Sequence, residues 1–278
     1  MKARVLFGVF GFAFVLLALY VFPPIVLELV VAALCVFATY EVLGSTKLVR
    51  NHLELLLAMA VSLGLAVGHF SILPLRLESV VQGLVLVLLF GSFAIELKYH
   101  DVMKASQVSW AFFGGLAVPY LLLSLLRIFQ MHYHHGSFIV LLPLLAAWGA
   151  DTCALFSGML FGKHKLAPVV SPKKTVEGAV GGVVGGAVLV LIAAVIMNRT
   201  LDLEMPLWSA VVLGAVGAVL GEIGDLSFSV IKRQTGIKDY GHIFPGHGGV
   251  LDRFDSVLFT LPFIYATTLC FPVCQIVA

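Results

Sequence analysis

Charged side chains are scarce in this 278-residue chain, in which Asp, Glu, Lys and Arg together make up only 12%. Soluble globular domains carry charges on about a quarter of their residues, whereas 60% of the residues here are hydrophobic. This composition excludes a soluble domain and predicts a protein that crosses a membrane several times. Long runs such as Ala3–Val21 also lack any alternation of apolar and polar residues. We therefore expect the spans to be helices and the fold to be an all-α membrane bundle.

Apolar runs long enough to cross about 30 Å of hydrocarbon, which takes about 20 helical residues, predict about nine spans. They cover residues 4–22, 24–43, 53–70, 79–97, 108–128, 137–160, 177–197, 206–230 and 254–275. If the N-terminus is cytosolic, only Arg76, Arg127 and Arg199 of the 17 basic residues fall outside. This excess of inner positive charge is typical of multi-pass membrane proteins. We expect the protein in the cell membrane, which would be the inner membrane in a Gram-negative bacterium. The polar loops 162–176 and 231–251 then both face the cytosol.

Cysteine pairs and flexible linkers are missing too. The four cysteines, Cys35, Cys153, Cys270 and Cys274, lie in or beside apolar runs without a CxxC pair, so we expect them to pack rather than to bind metal. No stretch rich in Ser, Pro or Gly divides the chain. The division that we predict is functional, with residues 1–135 as a lipid-facing scaffold of helices and residues 136–278 as the catalytic region.

Small residues recur at helical spacing in two of the predicted spans. The seventh has Gly178, Gly182 and Gly186 on one face, with Gly181 and Gly185 beside them, and the eighth has Gly217, Gly221 and Gly224. Such faces let another helix approach closely. Packing within the chain and a homodimer seam both remain open.

Charge is concentrated in residues 222–255. Glu222, Asp225, Ser229 and Lys232 follow spacings of three, four and three, so they line one stripe of a helix. Asp252 and Asp255 are again three apart, at the predicted start of the last span, where the helix dipole favours anions. Carboxylates of this kind suit Mg²⁺. An internal ion-pair lock is the alternative to a metal or substrate site.

Two glycine-rich or lysine-rich segments indicate phosphate binding. Gly246-His247-Gly248-Gly249 can turn backbone N–H groups toward an anion, and Lys232, Arg233, Lys238 and Arg253 add positive charge. Ser171, Lys173, Lys174 and Thr175 precede a predicted helix start, which is a second natural anion cradle. Lys163 and Lys165 could instead contact lipid headgroups.

Isolated acids are interpreted more simply. We expect Glu41 to be an interfacial carboxylate near a base such as Lys47. Asp151 lies in a deeply apolar setting, so we expect it to face the interior of the bundle.

The spacing of these residues resembles the signature of the phosphatidate cytidylyltransferases, also called CDP-diacylglycerol synthases. The signature runs Ser229-x-Ile231-Lys232-Arg233, then Lys238-Asp239-x-Gly241, then Phe244-Pro245-x-His247-Gly248-Gly249-x-x-Asp252-Arg253-x-Asp255. Two further blocks are similar, Asp151-Thr152 through Phe161-Gly162-Lys163-His164-Lys165-Leu166 and Ser171-Pro172-Lys173-Lys174-Thr175-x-Glu177-Gly178. The chain departs from the family pattern at Leu155 and Met159, where the family usually has a tyrosine and a base.

This resemblance implies transfer of CMP from CTP to phosphatidate, with Mg²⁺ as cofactor and a second cation as a further candidate. With this activity in mind we expect Asp225, Asp252, Lys232, Arg233 and His247 to be catalytic residues. Asp225 and Asp252 are the expected metal ligands, and Asp255 and Glu222 are candidates either for further ligands or for groups that contact the ligands. The implied substrate-binding residues are Ser171, Lys173, Lys174, Thr175, Ser229, Lys238, Asp239, Gly246, Gly248, Gly249 and Arg253. CTP, phosphatidate and membrane lipids are the expected partners, without nucleic acid.

Two other functions compete with this interpretation. A CTP-dependent polyprenol or lipid kinase would use similar phosphate-binding groups but would move a phosphoryl group. A multi-pass transporter would also carry acids within its spans, although the acids here gather near phosphate-binding loops and no inverted halves are visible.

Overall fold

The computed structural model describes residues 11, 13–73, 76–131, 135–201, 203–243, 248–271 and 275–276. In this part of the chain six helices are long and apolar enough to cross a membrane. They are α1 (Pro24–Ser45), α3 (Leu77–Lys98), α4 (Ala105–Met131), α5 (Gly136–Phe161), α6 (Val176–Thr200) and α7 (Leu207–Gln234). The shorter helices are α2 (His52–Val67), α8 (Leu251–Phe254) and α9 (Val257–Cys270). Residues 13–20 are also helical.

The predicted membrane helix bundle is therefore confirmed in outline. Eight of the predicted spans correspond to α1–α7 and α9, although α2 and α9 have only 16 and 14 residues. Much of the first predicted span, 4–22, lies outside the described residues. The count of nine and the cytosolic N-terminus remain predictions.

Short strands interrupt the expected all-α fold. β1 (Lys165–Ala167) and β2 (Ser171–Thr175) form an antiparallel hairpin that pairs Lys165 with Thr175, so the predicted loop 162–176 is largely ordered by backbone hydrogen bonds. β3 (Leu203–Glu204) pairs with β4 (Gln275–Ile276). A loop that must hold charged side chains in place gains rigidity from such pairing.

Within the described residues, three helices contain a π-helical turn, at Glu41–Ser45, Phe113–Ala117 and Leu145–Gly149. In α5 the turn follows Pro143, whose missing N–H interrupts the regular hydrogen-bond pattern. The Pro143 carbonyl accepts a hydrogen bond from Thr260 Oγ1 at 3.3 Å. Such turns frequently occur at functional sites in helices, and the first of them begins at Glu41.

The chain forms two compact units. The first combines Met1–Leu126 with Gln234–Arg253, and its helix α2 packs against both α1 and α3. Its interior includes Val31, Cys35, Ala58 and Leu65. Thr39 Oγ1 donates to the Gly114 carbonyl at 2.8 Å, which ties α1 to α4. The polar segment 234–253 thus belongs with the N-terminal helices.

The second unit combines Arg127–Arg233 with Phe254–Ala278, and α6 packs closely along α5. A Cβ atom added at Gly181 would collide with Ser157, and one at Gly185 would collide with Cys153. At Gly186 it would meet Ala218 of α7 at 2.9 Å. The glycine face of α6 is therefore covered by the chain's own helices, as one of the two predicted alternatives requires.

Candidate functional site

Asp252, at the start of α8, holds the part of the polar loop 231–251 that belongs to the first unit. This loop carries most of the family signature and is called the signature loop. The Asp252 carboxylate oxygen Oδ2 accepts backbone hydrogen bonds from Tyr240 N at 2.7 Å and from Gly249 N at 2.9 Å. Only 8% of Asp252 is exposed. Asp252 therefore bridges two parts of the loop that lie twelve and three residues before it.

Glycine is needed in this loop because its backbone conformation and its neighbours leave no room for a side chain. Gly248 has φ = +82°, in the left-handed region that L-residues rarely adopt. A Cβ atom there would lie 2.7 Å from Asp252 Oδ2. Gly246 and His247, predicted to bind substrate and to act in catalysis, lie outside the described residues.

Glu41 also contacts this loop, which the sequence did not predict. Its Oε1 accepts from Val250 N at 2.9 Å and its Oε2 from Leu251 N at 2.8 Å. The interfacial position predicted for Glu41 is wrong, because the residue is only 1% exposed. The available signal was its distance from Lys47, six residues along the chain, which is too far for a helical i, i+4 pair.

The backbone N–H groups of Gly249, Val250 and Leu251 thus all end on carboxylates of the chain itself. The sequence led us to expect that such groups would turn toward a phosphate. For these three N–H groups the anion is a carboxylate of Asp252 or Glu41, so the hydrogen bonds fix the path of the loop. The glycine at position 249 is therefore needed for the shape of the loop.

In the second unit an ammonium group lies between two of the predicted metal ligands. Lys174 Nζ is 2.6 Å from Asp225 Oδ2 and 2.8 Å from Glu222 Oε1. Burial opposes the charge of Lys174, but Asp225 and Glu222 outweigh it, and the pKa of Lys174 lies above its ordinary value. Lys174, predicted to bind substrate phosphate, is here paired with acids.

Asp255 joins this cluster through the close approach of two backbones. A Cβ atom at Gly224 of α7 would lie 2.6 Å from the Asp255 carbonyl oxygen. Asp255 shares a side-chain hydrogen bond with Asp225. A hydrogen bond between two carboxyl groups requires a proton on one of them, so this pair carries less negative charge than two free carboxylates would.

Asp151 completes the acidic cluster from α5. Its Oδ2 accepts from Ser256 Oγ at 3.1 Å, and it lies within electrostatic range of Asp225 and Lys174. The predicted position of Asp151 inside the bundle agrees with these contacts. The place of Asp151 beside the candidate metal ligands does not follow from the sequence pattern. Its hydrogen-bond partner Ser256 directly follows Asp255 in the chain, and this brings Asp151 close to the acidic cluster.

The helical stripe of α7 forms as predicted. Ser229 Oγ donates to Asp225 Oδ1 at 3.3 Å. Lys232 is 8% exposed and interacts electrostatically with Asp225 and Asp255. Arg233 is exposed, and its Nε donates to the Val170 carbonyl at 3.1 Å in the turn of the β-hairpin. One helix therefore places an acid, a hydroxyl and a buried cation together.

The hairpin is attached to α6 by Thr175 and Glu177. Thr175 caps α6, since its Oγ1 accepts from Gly178 N at 3.1 Å. The Glu177 carboxylate accepts from Lys163 N at 3.0 Å and contacts His164 Nδ1 at 2.6 Å. Thr175 was predicted to bind substrate, and its observed contact is structural. Glu177 fixes the entry to the hairpin that carries Lys174.

The remaining predicted substrate-binding residues are more accessible. Lys173, Lys238, Asp239 and Arg253 are exposed, and Ser171 is half-buried. Exposure leaves these side chains able to meet a ligand that arrives from water. Their roles remain predictions.

The acids of the second unit have the right chemistry for a hard cation, because all of their donor atoms are carboxylate oxygens. Among the described residues, no group of three or more His, Cys, Asp or Glu side chains is arranged as a metal site. Lys174 and the proton shared by Asp225 and Asp255 offset part of the negative charge at the place where a cation would be attracted. The donor set thus fits Mg²⁺ once the ammonium group and the proton are displaced. A metal shared by Asp225 and Asp252 remains a prediction.

Comparison with known proteins shows which family the chain is similar to. The chain is 33% identical over 282 residues to a phosphatidate cytidylyltransferase of Haemophilus influenzae, covering 95% of this chain and 96% of that protein. It is 35% identical over 252 residues to a phosphatidate cytidylyltransferase of Staphylococcus aureus, covering 90% and 94%. The sequence pattern of the cytidylyltransferase family matches residues 2–271. Because this match includes both the acidic cluster and the loop held by Asp252, the chain belongs to the cytidylyltransferase family.

Proposed function

We propose that this protein is a phosphatidate cytidylyltransferase, an enzyme that transfers CMP from CTP to phosphatidate in phospholipid biosynthesis. The products are CDP-diacylglycerol and pyrophosphate. The observation that carries this proposal is the near full-length similarity to a phosphatidate cytidylyltransferase. Six long apolar helices suit an enzyme whose acceptor keeps its acyl chains in the bilayer.

The chemistry requires positive charge more than it requires a base. An oxygen of the lipid phosphate forms a bond to the α-phosphorus of CTP, and the bond from that phosphorus to the pyrophosphate oxygen breaks. The attacking oxygen is already ionised near neutral pH. Catalysis therefore depends on bringing two polyanions together and offsetting the charge that develops.

The second unit supplies groups for this task. We assign Lys174 and Lys232 to the reacting phosphates, because the Lys174 ammonium is 2.6 Å from Asp225 Oδ2 and Lys232 interacts electrostatically with the same carboxylate. A phosphate that replaces the carboxylates around Lys174 would form an ion pair of similar strength. Lys173 and Arg233, both exposed, would extend the positive surface toward the nucleotide.

For the cofactor we propose Mg²⁺ held by Asp225, with Asp255 and Glu222 as further ligands and Asp252 as the ligand that the signature predicts. When bound, Mg²⁺ offsets negative charge on phosphate oxygens and favours the departure of pyrophosphate. Ser229 orients Asp225, and Asp151 adds negative charge nearby. The identity of a second cation remains a proposal without a defined site.

We further propose that the active site faces the cytosol, where CTP is made. The excess of Lys and Arg in the predicted inner loops supports this orientation. It also puts the N-terminus on the same side.

Purified protein in detergent, supplied with phosphatidate, Mg²⁺ and CTP labelled on the α-phosphate, tests the function. We expect the label to enter the lipid and unlabelled pyrophosphate to be released. Label that reaches lipid only from γ-labelled CTP would make the protein a lipid kinase. Transport in liposomes without nucleotide turnover would overturn both enzyme functions.

The same assay in sealed membrane vesicles tests the orientation, because CTP does not cross a bilayer. We expect turnover of external CTP in inverted vesicles only. Equal turnover in intact right-side-out vesicles would contradict a cytosolic site.

A further inference from the structure

Glu41 and the signature loop meet in the first unit, although about 210 residues separate them in sequence. Glu41 begins the π-helical turn Glu41–Ser45 at the end of α1. Each of its carboxylate oxygens accepts one backbone N–H, from Val250 and from Leu251. Two consecutive N–H groups are thus satisfied by one side chain. They belong to the residues that lead into α8 and Asp252.

Burial makes these hydrogen bonds consequential. Glu41, Val250 and Leu251 are each at most 1% exposed, so water cannot replace a lost acceptor. Removing one partner of a buried hydrogen bond leaves the other unsatisfied, which costs more than the bond contributes. The backbone would therefore rearrange if the carboxylate were lost.

The glycines of the loop are matched to Glu41. A Cβ atom at Gly249 or at Gly241 would collide with the Glu41 carboxylate. The loop can therefore approach Glu41 only with glycine at these two positions. A buried carboxylate that only balanced a nearby charge would not require the backbone at both Gly241 and Gly249 to lie against it.

We propose that Glu41 is a positioning residue that fixes the signature loop for binding of the cytidine nucleotide. The inference rests on the proposed function, for which the resemblance implies Gly248 and Gly249 as substrate-binding residues. Both carboxylate oxygens of Glu41 already accept backbone N–H groups, so in this proposal Glu41 acts through the loop rather than on substrate or metal. It acts by setting the backbone between Gly249 and Asp252, so its loss affects nucleotide binding and turnover more than it affects the lipid acceptor.

The test compares Glu41→Gln with Glu54→Gln in the full-length protein. Glu54 is an apt control, because it is fully buried in the same unit and accepts from Ser92 Oγ at 2.6 Å, away from the loop. We expect kcat/KM for CTP to fall about 100-fold in Glu41→Gln, since a displacement of about 1 Å in a catalytic loop has this effect. The KM for phosphatidate should stay within about twofold. Glu54→Gln should lower the unfolding temperature but leave kcat/KM for CTP unchanged.

A second pair of variants leaves the carboxylate in place. Gly249→Ala should reproduce the loss of CTP use, because its methyl group displaces the loop from Glu41. Gly83→Ala in α3 is the matched control, since nothing lies within 4 Å of a Cβ atom there. The Gly83→Ala protein should keep wild-type kinetics.

Amide hydrogen exchange separates this proposal from the proposed function. In Glu41→Gln we expect faster exchange at residues 249–252 than in wild type or Glu54→Gln, whether or not the protein transfers CMP. Unchanged exchange there, or equal losses of CTP use in Glu41→Gln and Glu54→Gln at equal unfolding temperature, would overturn the positioning role. Absence of CMP transfer by wild type would instead reject the proposed function.

Discussion

The two units of this protein use carboxylates in different ways. In the first unit, Glu41 and Asp252 accept hydrogen bonds from four backbone N–H groups. In the second unit, Asp225 and Glu222 pair with the Lys174 ammonium, while Asp151 accepts from a serine hydroxyl. Backbone donors are fixed by the chain path, whereas a lysine side chain can rotate away.

The two kinds of partner give the carboxylates two different roles, one in fixing the shape of a loop and one in binding a cation that can be exchanged. Carboxylates bonded to backbone N–H groups cannot change partners without moving the loop. Carboxylates paired with Lys174 can exchange that cation for another when substrate arrives. The first set therefore suits the construction of a pocket, and the second suits ion and phosphate binding.

The largest expected effect is at Asp225, where Asp225→Asn removes the charge that Lys174 and the proposed Mg²⁺ share. We expect CMP transfer to fall about 10³-fold, since loss of a metal ligand costs several kcal/mol of transition-state stabilisation. The protein should remain folded in detergent. The measurement is initial rate across a Mg²⁺ titration, and activity near wild type at any Mg²⁺ concentration would remove Asp225 from the site.

Asp252 offers the matched comparison in the other unit. Asp252→Asn keeps an oxygen for Tyr240 N and Gly249 N, so we expect an inactive but folded protein. Asp252→Ala should lose activity and also speed hydrogen exchange in the loop. A fully active Asp252→Asn protein would leave this carboxylate with a structural role only.

A smaller effect is expected when the exchangeable cation is removed. Lys174→Met leaves Asp225 and Glu222 without their ammonium partner, which should cost about 2 kcal/mol of unfolding free energy in the absence of Mg²⁺, because a partly buried group loses its hydrogen-bond partner. Added Mg²⁺ should raise the unfolding temperature of Lys174→Met more than that of wild type, because binding stabilises the folded state. Thermal unfolding with and without Mg²⁺ measures both, and an equal Mg²⁺ response in the two proteins would refute the exchange.

The smallest effect is expected at the two departures from the family pattern. Leu155 and Met159 are 60% and 68% exposed on α5, so they make few contacts that a substitution could disturb. Leu155→Tyr and Met159→Lys should each change kcat/KM by no more than about twofold. A tenfold gain in affinity for either substrate would show that these positions reach the site after all.

The sequence predicted best where a local pattern carries the chemistry. The spacing of Asp225, Ser229 and Lys232 on one helix face follows from the helical period alone, and the structure has that stripe. Apolar length likewise predicted the long helices. Gly181 and Gly185 indicated a close helix contact but not its partner, which is α5 of the same chain.

The partners of the buried acids could not be read from the sequence. Glu41 meets Val250 and Leu251 across about 210 residues, and Lys174 meets Glu222 across 48. No period or spacing encodes such contacts, because they depend on which helices pack side by side. The sequence by itself determined a membrane bundle, a helical stripe of acid and base, and the family. Only the tertiary structure decided which carboxylates hold a backbone loop and which hold an exchangeable cation, since that depends on the donors that folding brings to each one.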